Sequence, residues 1–207
     1  MKRKVIYITL ALLLIAGAYQ FRVNRFQRDI SQEILRFHVL ANSDSEADQS
    51  VKLKVRDEIG RYMQENMQGM ENLPECMQMT REKLPEITRI AEEVLCREGF
   101  SYGVNAEIGT VDFPEKRYGS YTFPRGSYQA LEITLGEGNG HNWWCVMYPN
   151  MCFAGSVYEV IEEDAKAELR AVLTPEEYEE LMAESSISVK FKYWEKIKEF
   201  AGVLKSK

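Results

Sequence analysis

From Leu35 to Ala41 the chain runs through large apolar side chains with few interruptions. Asn42-Ser43-Asp44-Ser45 then stops it with four consecutive turn or cap formers. A strand over 35–41 is predicted, followed by a helix, because Ser45 and Asp48 have capping-box spacing with Asp in place of the preferred Glu. Two periodicities compete beyond the cap. Val51, Leu53 and Val55 alternate as in a strand, whereas Val51, Val55, Ile59, Tyr62, Met63, Met67 and Met70 form a helical stripe. The stripe is longer and starts at a cap, so it decides for helix. Residues 69–74 are a break. A second amphipathic helix is predicted over about Met79–Cys96, with Leu84, Ile87, Ile90, Ala91, Val94 and Leu95 on one face. Pro85 marks either its first turn or a kink, and Gly99 is placed to end it as the C′ residue.

The pattern then changes period. Val104, Ala106, Ile108 and Val111 alternate within Tyr102–Phe113, and Ala130, Leu131, Ile133 and Leu135 mark a second strand over Gln129–Leu135. Pro114–Tyr128 between them reads as a long connection rich in Tyr, Gly and Pro. Gly136-Glu137-Gly138-Asn139-Gly140 reads as a hairpin turn into a third strand, Asn142–Tyr148. It lacks the Lys-Ser/Thr of a phosphate loop, and no helix is predicted after it. From Ser156 the sequence is acidic and helical through Leu173, and Thr174-Pro175-Glu176-Glu177 caps a further helix with Pro at its first position. A last helix is expected around Lys190–Leu204. The fold class that follows is α+β: a small mixed or antiparallel sheet of about four strands covered by two helices, with a helical C-terminal extension. The segments divide as 1–28 (signal or anchor plus linker), 29–155 (the α+β domain) and 156–207 (the extension).

The first eighteen residues set the compartment. Lys2, Arg3 and Lys4 precede an uncharged run from Val5 to Ala18, and Ala16-Gly17-Ala18 supplies small residues for a cleavage site. The run is shorter than the ~20 residues of a comfortable membrane span, but Tyr19, Gln20 and Phe21 extend it. Two outcomes stay open, a cleaved signal peptide or an uncleaved anchor over residues 5–21, and both put the rest of the chain outside the cytoplasm. Three of the 26 basic and none of the 32 acidic residues fall in those eighteen, leaving the remainder with a net charge of −9. Such a surface does not suit nucleic acid, which needs a basic patch.

Four cysteines in an exported chain permit disulfides in three connectivities. Cys145 and Cys152 close a short loop around Pro149, and Cys76 and Cys96 either pair or stay free. A metal reading, His141, Cys145 and Cys152 with His38, matches no standard zinc spacing, and no metal or cofactor is expected. His38, Ser43 and Asp44 invite comparison with a hydrolytic set, but turn and cap chemistry accounts for Asn42 through Ser45, and no nucleophile or metalloprotease motif occurs.

Trp143 and Trp144 are the more telling pair. Successive strand residues point to opposite faces, so one enters the core while the other is either covered by another segment or exposed. An exposed tryptophan beside a disulfide loop is a candidate recognition surface. Phe191, Trp194, Ile197, Ala201 and Leu204 form a stripe among lysines, which suits either an interfacial helix on an anionic membrane or a helix docked on the domain.

Three spaced stretches resemble one family. Arg36-Phe37-His38-Val39-Leu40-Ala41-Asn42-Ser43-Asp44-Ser45 with Asp48 to Asp57 is similar to the opening of the stage II sporulation protein R family. Tyr128 to Phe153, with Leu135-Gly136-Glu137-Gly138 and Asn142-Trp143-Trp144-Cys145-Val146, is similar to a second part of it, and Ile108-Gly109 through Tyr118-Gly119 to the part between. The resemblance implies a signalling protein of endospore-forming bacteria, made in the forespore and exported into the space between the septal membranes. There it would activate a membrane-embedded aspartic protease that cleaves the precursor of a mother-cell sigma factor.

On that resemblance the expected protein is a non-enzymatic ligand. Its candidate partner-binding residues are Trp143, Trp144, Asn142, Tyr148, Asn42, Asp44 and His38, with Cys145 and Cys152 as the candidate disulfide. Two other readings compete. One is an extracytoplasmic hydrolase of cell wall or peptide using His38 and Asp44 as an acid–base pair, which needs a cleft beside an accessible His38. The other is a structural, membrane-associated septal protein.

Overall fold

The computed structural model describes residues 2–151 and 163–182. Its first element, α1 (Lys2–Ser31), is one continuous helix. The apolar side chains from Ile6 to Phe21 are exposed on it, and Ile6–Ser31 is long and apolar enough to cross a membrane. Nothing interrupts the helix at Ala16–Ala18. Residues 27–31, spanning the expected boundary at 28/29, are its last turns and enter the domain: Ile30 is fully buried, and Gln27 donates to the Ser127 carbonyl at 2.9 Å.

Strand β1 (Leu35–Leu40) and helix α2 (Glu46–Asn66) follow as the pattern predicts, with the Ser45 hydroxyl accepting from the Asp48 N–H at 3.1 Å. Helix α3 (Leu73–Arg97) starts six residues before the sequence reading placed it. Its cap is Asn72, and Pro74 occupies the first turn, where a missing N–H costs nothing. Pro85 therefore lies in the interior of an unbroken helix rather than at its start. Gly99 ends α3 with φ +83°, a conformation that favours glycine.

Strand β2 (Val104–Phe113) is followed by two short strands that the sequence pattern did not reveal, β3 (Lys116–Tyr118) and β4 (Tyr121–Phe123), which pair as a hairpin. Three residues are too few to show an alternation. Strands β5 (Gly126–Leu135) and β6 (Asn142–Tyr148) complete the main sheet, whose order is β2-β5-β1-β6. β1 runs parallel to β5 and antiparallel to β6. The predicted hairpin between β5 and β6 does not exist, because β1 lies between them. The Gly136–Gly140 loop instead passes over the end of β1. Helices α4 (Glu163–Val172) and α5 (Pro175–Met182) form part of the expected C-terminal extension, and Thr174 with Glu177 makes the capping box ahead of Pro175. The helix expected around Lys190–Leu204 lies outside the described residues.

Both faces of the sheet are packed. Leu35, Phe37, Val39, Leu131, Ile133, Leu135, Trp143 and Cys145 meet α2 and α3 on one side. On the other, Tyr118, Tyr121, Phe123, Leu169, Leu173 and Leu181 close with Ile30 over Ala130, Tyr128 and Val146. Arg36 projects into this second layer and is fully buried. Its guanidinium carbon lies 4.4 Å from the ring centre of Phe113, 5.1 Å from Tyr128, 5.3 Å from Phe123 and 5.8 Å from Tyr118. The Tyr118 hydroxyl accepts one hydrogen bond at 3.2 Å, while Nε and Nη1 have no acceptor among the described residues. Burial pulls the Arg36 pKa below the usual arginine value, and Tyr118 and Tyr128 oppose that shift.

A cation held by rings, with no carboxylate partner among the described residues, pays desolvation without a full ionic return. Arg36→Met, similar in length and uncharged, is therefore expected to leave the thermal midpoint unchanged or raise it. Arg36→Ala, which empties the cage, is expected to cost about 3 kcal/mol or more in urea unfolding.

Candidate functional site

The stretches around Asn42 and Gly138 are nearly a hundred residues apart yet form one joint. Asp48, buried at the start of α2, accepts from Asn42 Nδ2 at 3.0 Å, from the Ser43 hydroxyl and from the Tyr102 hydroxyl at 2.8 Å. Burial alone would raise the Asp48 pKa, but the hydrogen bonds from Ser43, Asn42, Tyr102 and Ser45 outweigh it and lower the value. Asn42 also accepts from the Glu137 N–H through its Oδ1, and its carbonyl accepts from Asn139 N–H. The loop passes so close that a Cβ on Gly136 would sit 2.2 Å from Asn42 Oδ1, and one on Gly140 2.2 Å from the Ser43 carbonyl oxygen. These glycines are there for close approach.

Asp44 meets the other end of the loop. Its carboxylate accepts from the His141 N–H at 2.6 Å and contacts His141 Nδ1, and those bonds hold its pKa below the ordinary carboxylate value. Lys52, buried beneath, donates to the His141 carbonyl at 2.9 Å. The Ser43 hydroxyl is committed to Asp48, so Ser43, Asp44 and His141 are not arranged as a nucleophile with its base.

The register lines up Glu107, Glu132, His38 and Trp144 in one row across the four strands, on the sheet face opposite α2 and α3. His38 is buried and contacts Glu132 through Nδ1 at 3.0 Å. Trp144, half-buried, stacks on it with centroids 3.8 Å apart and planes at 12°, and meets Phe113 edge-on at 4.7 Å. Lys116 Nζ lies 5.9 Å from the Trp144 ring centre. Asn142, exposed, sits next along β6 on the same face.

The expected site residues therefore separate. Trp143 takes the core position: it is 5% exposed, packs edge-on with Phe37 at 5.6 Å and lies under the Arg56 guanidinium. Tyr148 is buried in the same core, carried there by a bulge opposite Leu35 and Arg36. Asn42 is spent in the joint. Trp144 and Asn142 remain at the surface of the row, and Asp44 at the exposed joint. His38 and Asp44 do not form the acid–base pair a hydrolase would need, since Glu132 takes one and His141 the other. Nor do His38 and Cys145 converge on a metal, because they leave opposite faces of the sheet. Cys145 is disulfide-bonded, whereas Cys76 is free and buried and Cys96 free and exposed; Cys152, its expected partner, lies outside the described residues. Glu107 and Glu132 escaped the sequence reading because only the pairing of β2 with β5 brings them together.

The fold and site define an α+β domain carried on an apolar N-terminal helix long enough to cross a membrane, with an aromatic and acidic row on the sheet face away from its two long helices. The family model for stage II sporulation protein R matches residues 31–158. A protein of Bacillus subtilis (strain 168) called stage II sporulation protein R is 35% identical over 157 residues, covering 75% of this chain and 70% of that one. The chain belongs to the stage II sporulation protein R family. No solved structure matches it.

The row also fixes a pH dependence. Burial lowers the His38 pKa from 6.5 to about 4; Asn142 opposes this and the charge of Arg36 reinforces it. The unfolded chain therefore takes up a proton at a pH where the folded one does not, and stability falls as pH drops from about 6.5 to about 4. The loss attributable to His38 reaches about 3 kcal/mol at most, since the neighbouring Glu132 carboxylate favours the protonated ring. Urea unfolding at pH 7.0 and 4.5 is expected to show that loss in the parent chain and to show it flattened in His38→Gln.

Proposed function

We propose that the chain is an exported, non-enzymatic signalling protein of sporulation, which activates a membrane-embedded aspartic protease and so triggers processing of a mother-cell sigma-factor precursor. The observation that carries this reading is the continuity of α1. Its apolar half is exposed and its last turns are packed into the domain at Ile30, which supports an uncleaved anchor held against the domain. Arg22 on α1 and Glu180 on α5 approach to 3.3 Å, which ties the base of the helix to the second layer as well. Such a domain works at a membrane surface, where a membrane-embedded partner presents its extracytoplasmic segments. The septal intermembrane space is the compartment we assign to it, on the strength of the family resemblance.

Trp144 is the side chain we assign to recognition, with Asn142 beside it. An aromatic held flat against His38 loses little freedom on binding, which suits it to a contact hot spot. In sporulating cells Trp144→Ala is expected to abolish precursor processing while the chain still folds and accumulates, at a cost of about 1–3 kcal/mol for the lost contacts with His38 and Phe113. Trp143→Ala serves as the contrast, with an expected cost of about 3–5 kcal/mol and lowered abundance, because it opens a core cavity. Normal processing with Trp144→Ala would remove this face from the mechanism. A photocrosslinker at position 142 is expected to capture the protease.

A further inference from the structure

β2 is the outermost strand of the sheet, ten residues long and paired only with β5. Alternate residues of an edge strand direct their N–H and C=O groups away from the neighbour they pair with. Among the described residues none of these outward groups of β2 has a backbone partner. The devices that blunt an edge are sparse here: β2 contains no proline and no lysine, and Gly109 leaves open space at its middle. Helix α3 packs against one face through Val104, Ala106 and Ile108, and no described strand pairs with the edge itself.

Its charge is one-sided. Between Arg97 and Lys116 the chain has no basic residue, and it carries Glu98, Glu107, Asp112 and Glu115. Asp112 accepts from the Ser127 hydroxyl and Glu98 from Lys54. Glu107 has no hydrogen bond or ion pair among the described residues, although it stands directly opposite Glu132. Two carboxylates facing each other across a ladder repel, and the Glu132 carboxyl is raised by burial and then by Glu107. Among the described residues, the row Trp144, His38, Glu132, Glu107 thus ends in a carboxylate with no basic partner at the outermost strand.

We propose that β2 is a docking edge for an extended basic segment of a partner protein, which adds a fifth strand and places a lysine or arginine beside Glu107. A strand laid along β2 brings a side chain into the next position of that row, within contact distance of the Glu107 side chain. Backbone pairing supplies the affinity and the carboxylates select a basic sequence. A second copy of this chain fits the edge poorly, since it would bring the same unrelieved carboxylates against each other. The inference does not depend on the protease or on Trp144.

The test uses the full chain in detergent micelles and a fluorescent peptide, acetyl-TKVTVKVT-amide, with an acidic counterpart carrying glutamate in place of lysine. Expected are saturable binding of the basic peptide only, and slowed amide exchange within residues 104–113 on binding. Glu107→Lys, with an unchanged melting midpoint, is expected to weaken that binding at least about tenfold and to admit the acidic peptide. N-methylation of alternate peptide residues, which removes ladder donors and keeps the side chains, is expected to weaken it by a similar factor. Equal binding of both peptides, no effect of Glu107→Lys or of N-methylation, protection outside β2, or no binding at millimolar peptide would each overturn the proposal. Self-association through residues 104–113 without peptide, seen by sedimentation, would overturn it in favour of a second copy.

Discussion

The buried side chain of Arg36 is the constraint around which the second layer closes. A charge near the start of an inner strand cannot be left half covered, since an unpaired ion in an apolar setting is costly. The structure answers with rings from four different segments, Phe113, Tyr118, Phe123 and Tyr128, and one hydroxyl. That hydroxyl passes the interaction on, because Tyr118 also donates to the Trp144 carbonyl at 3.0 Å. The end of β2, the β3–β4 hairpin and the start of β5 are thereby gathered over one side chain. Trp144 and His38 lie at the rim of what they enclose.

The other organising contact is Asp48. Its hydrogen bonds join the first turn of α2 to Asn42, Ser43 and Tyr102, and through Asn42 to the glycine loop. The two stretches that carry most of the family resemblance are therefore two halves of one piece of architecture. Much of what looked like candidate chemistry in Asn42-Ser43-Asp44-Ser45 is spent there. The side chains proposed for recognition lie beyond the joint: Trp144, Asn142 and the carboxylates at the β2 end of the row.

Local signals were legible where one residue decides one element. Ser45 predicts the start of α2, Gly99 the end of α3 and Pro175 the start of α5, and each is found there, because caps act within a single turn. Asn72 with Pro74 carries the same kind of signal, but the apolar stripe becomes regular only further on and by itself places the start of α3 near Met79. β3 and β4 were hidden because their strands are too short for a period and their tyrosines serve a distant arginine. The glycine loop has the sequence of a hairpin turn and a different role in the structure, for a related reason. Glycine reports a tight turn or a close approach, and only the insertion of β1 between β5 and β6 makes it the latter.

By itself the sequence determined the α+β class, the order of the main elements, the apolar N-terminal helix and the separation of Trp143 from Trp144 onto opposite faces. These follow from periodicity and from groups that act on their immediate neighbours. Tertiary structure alone decided which tryptophan is inside, that His38 takes Glu132 while Asp44 takes His141, and that Glu107 stands, among the described residues, without an ion pair on the outermost strand. Strand order and register set those pairings, and they arise from packing between segments that the linear pattern treats as independent.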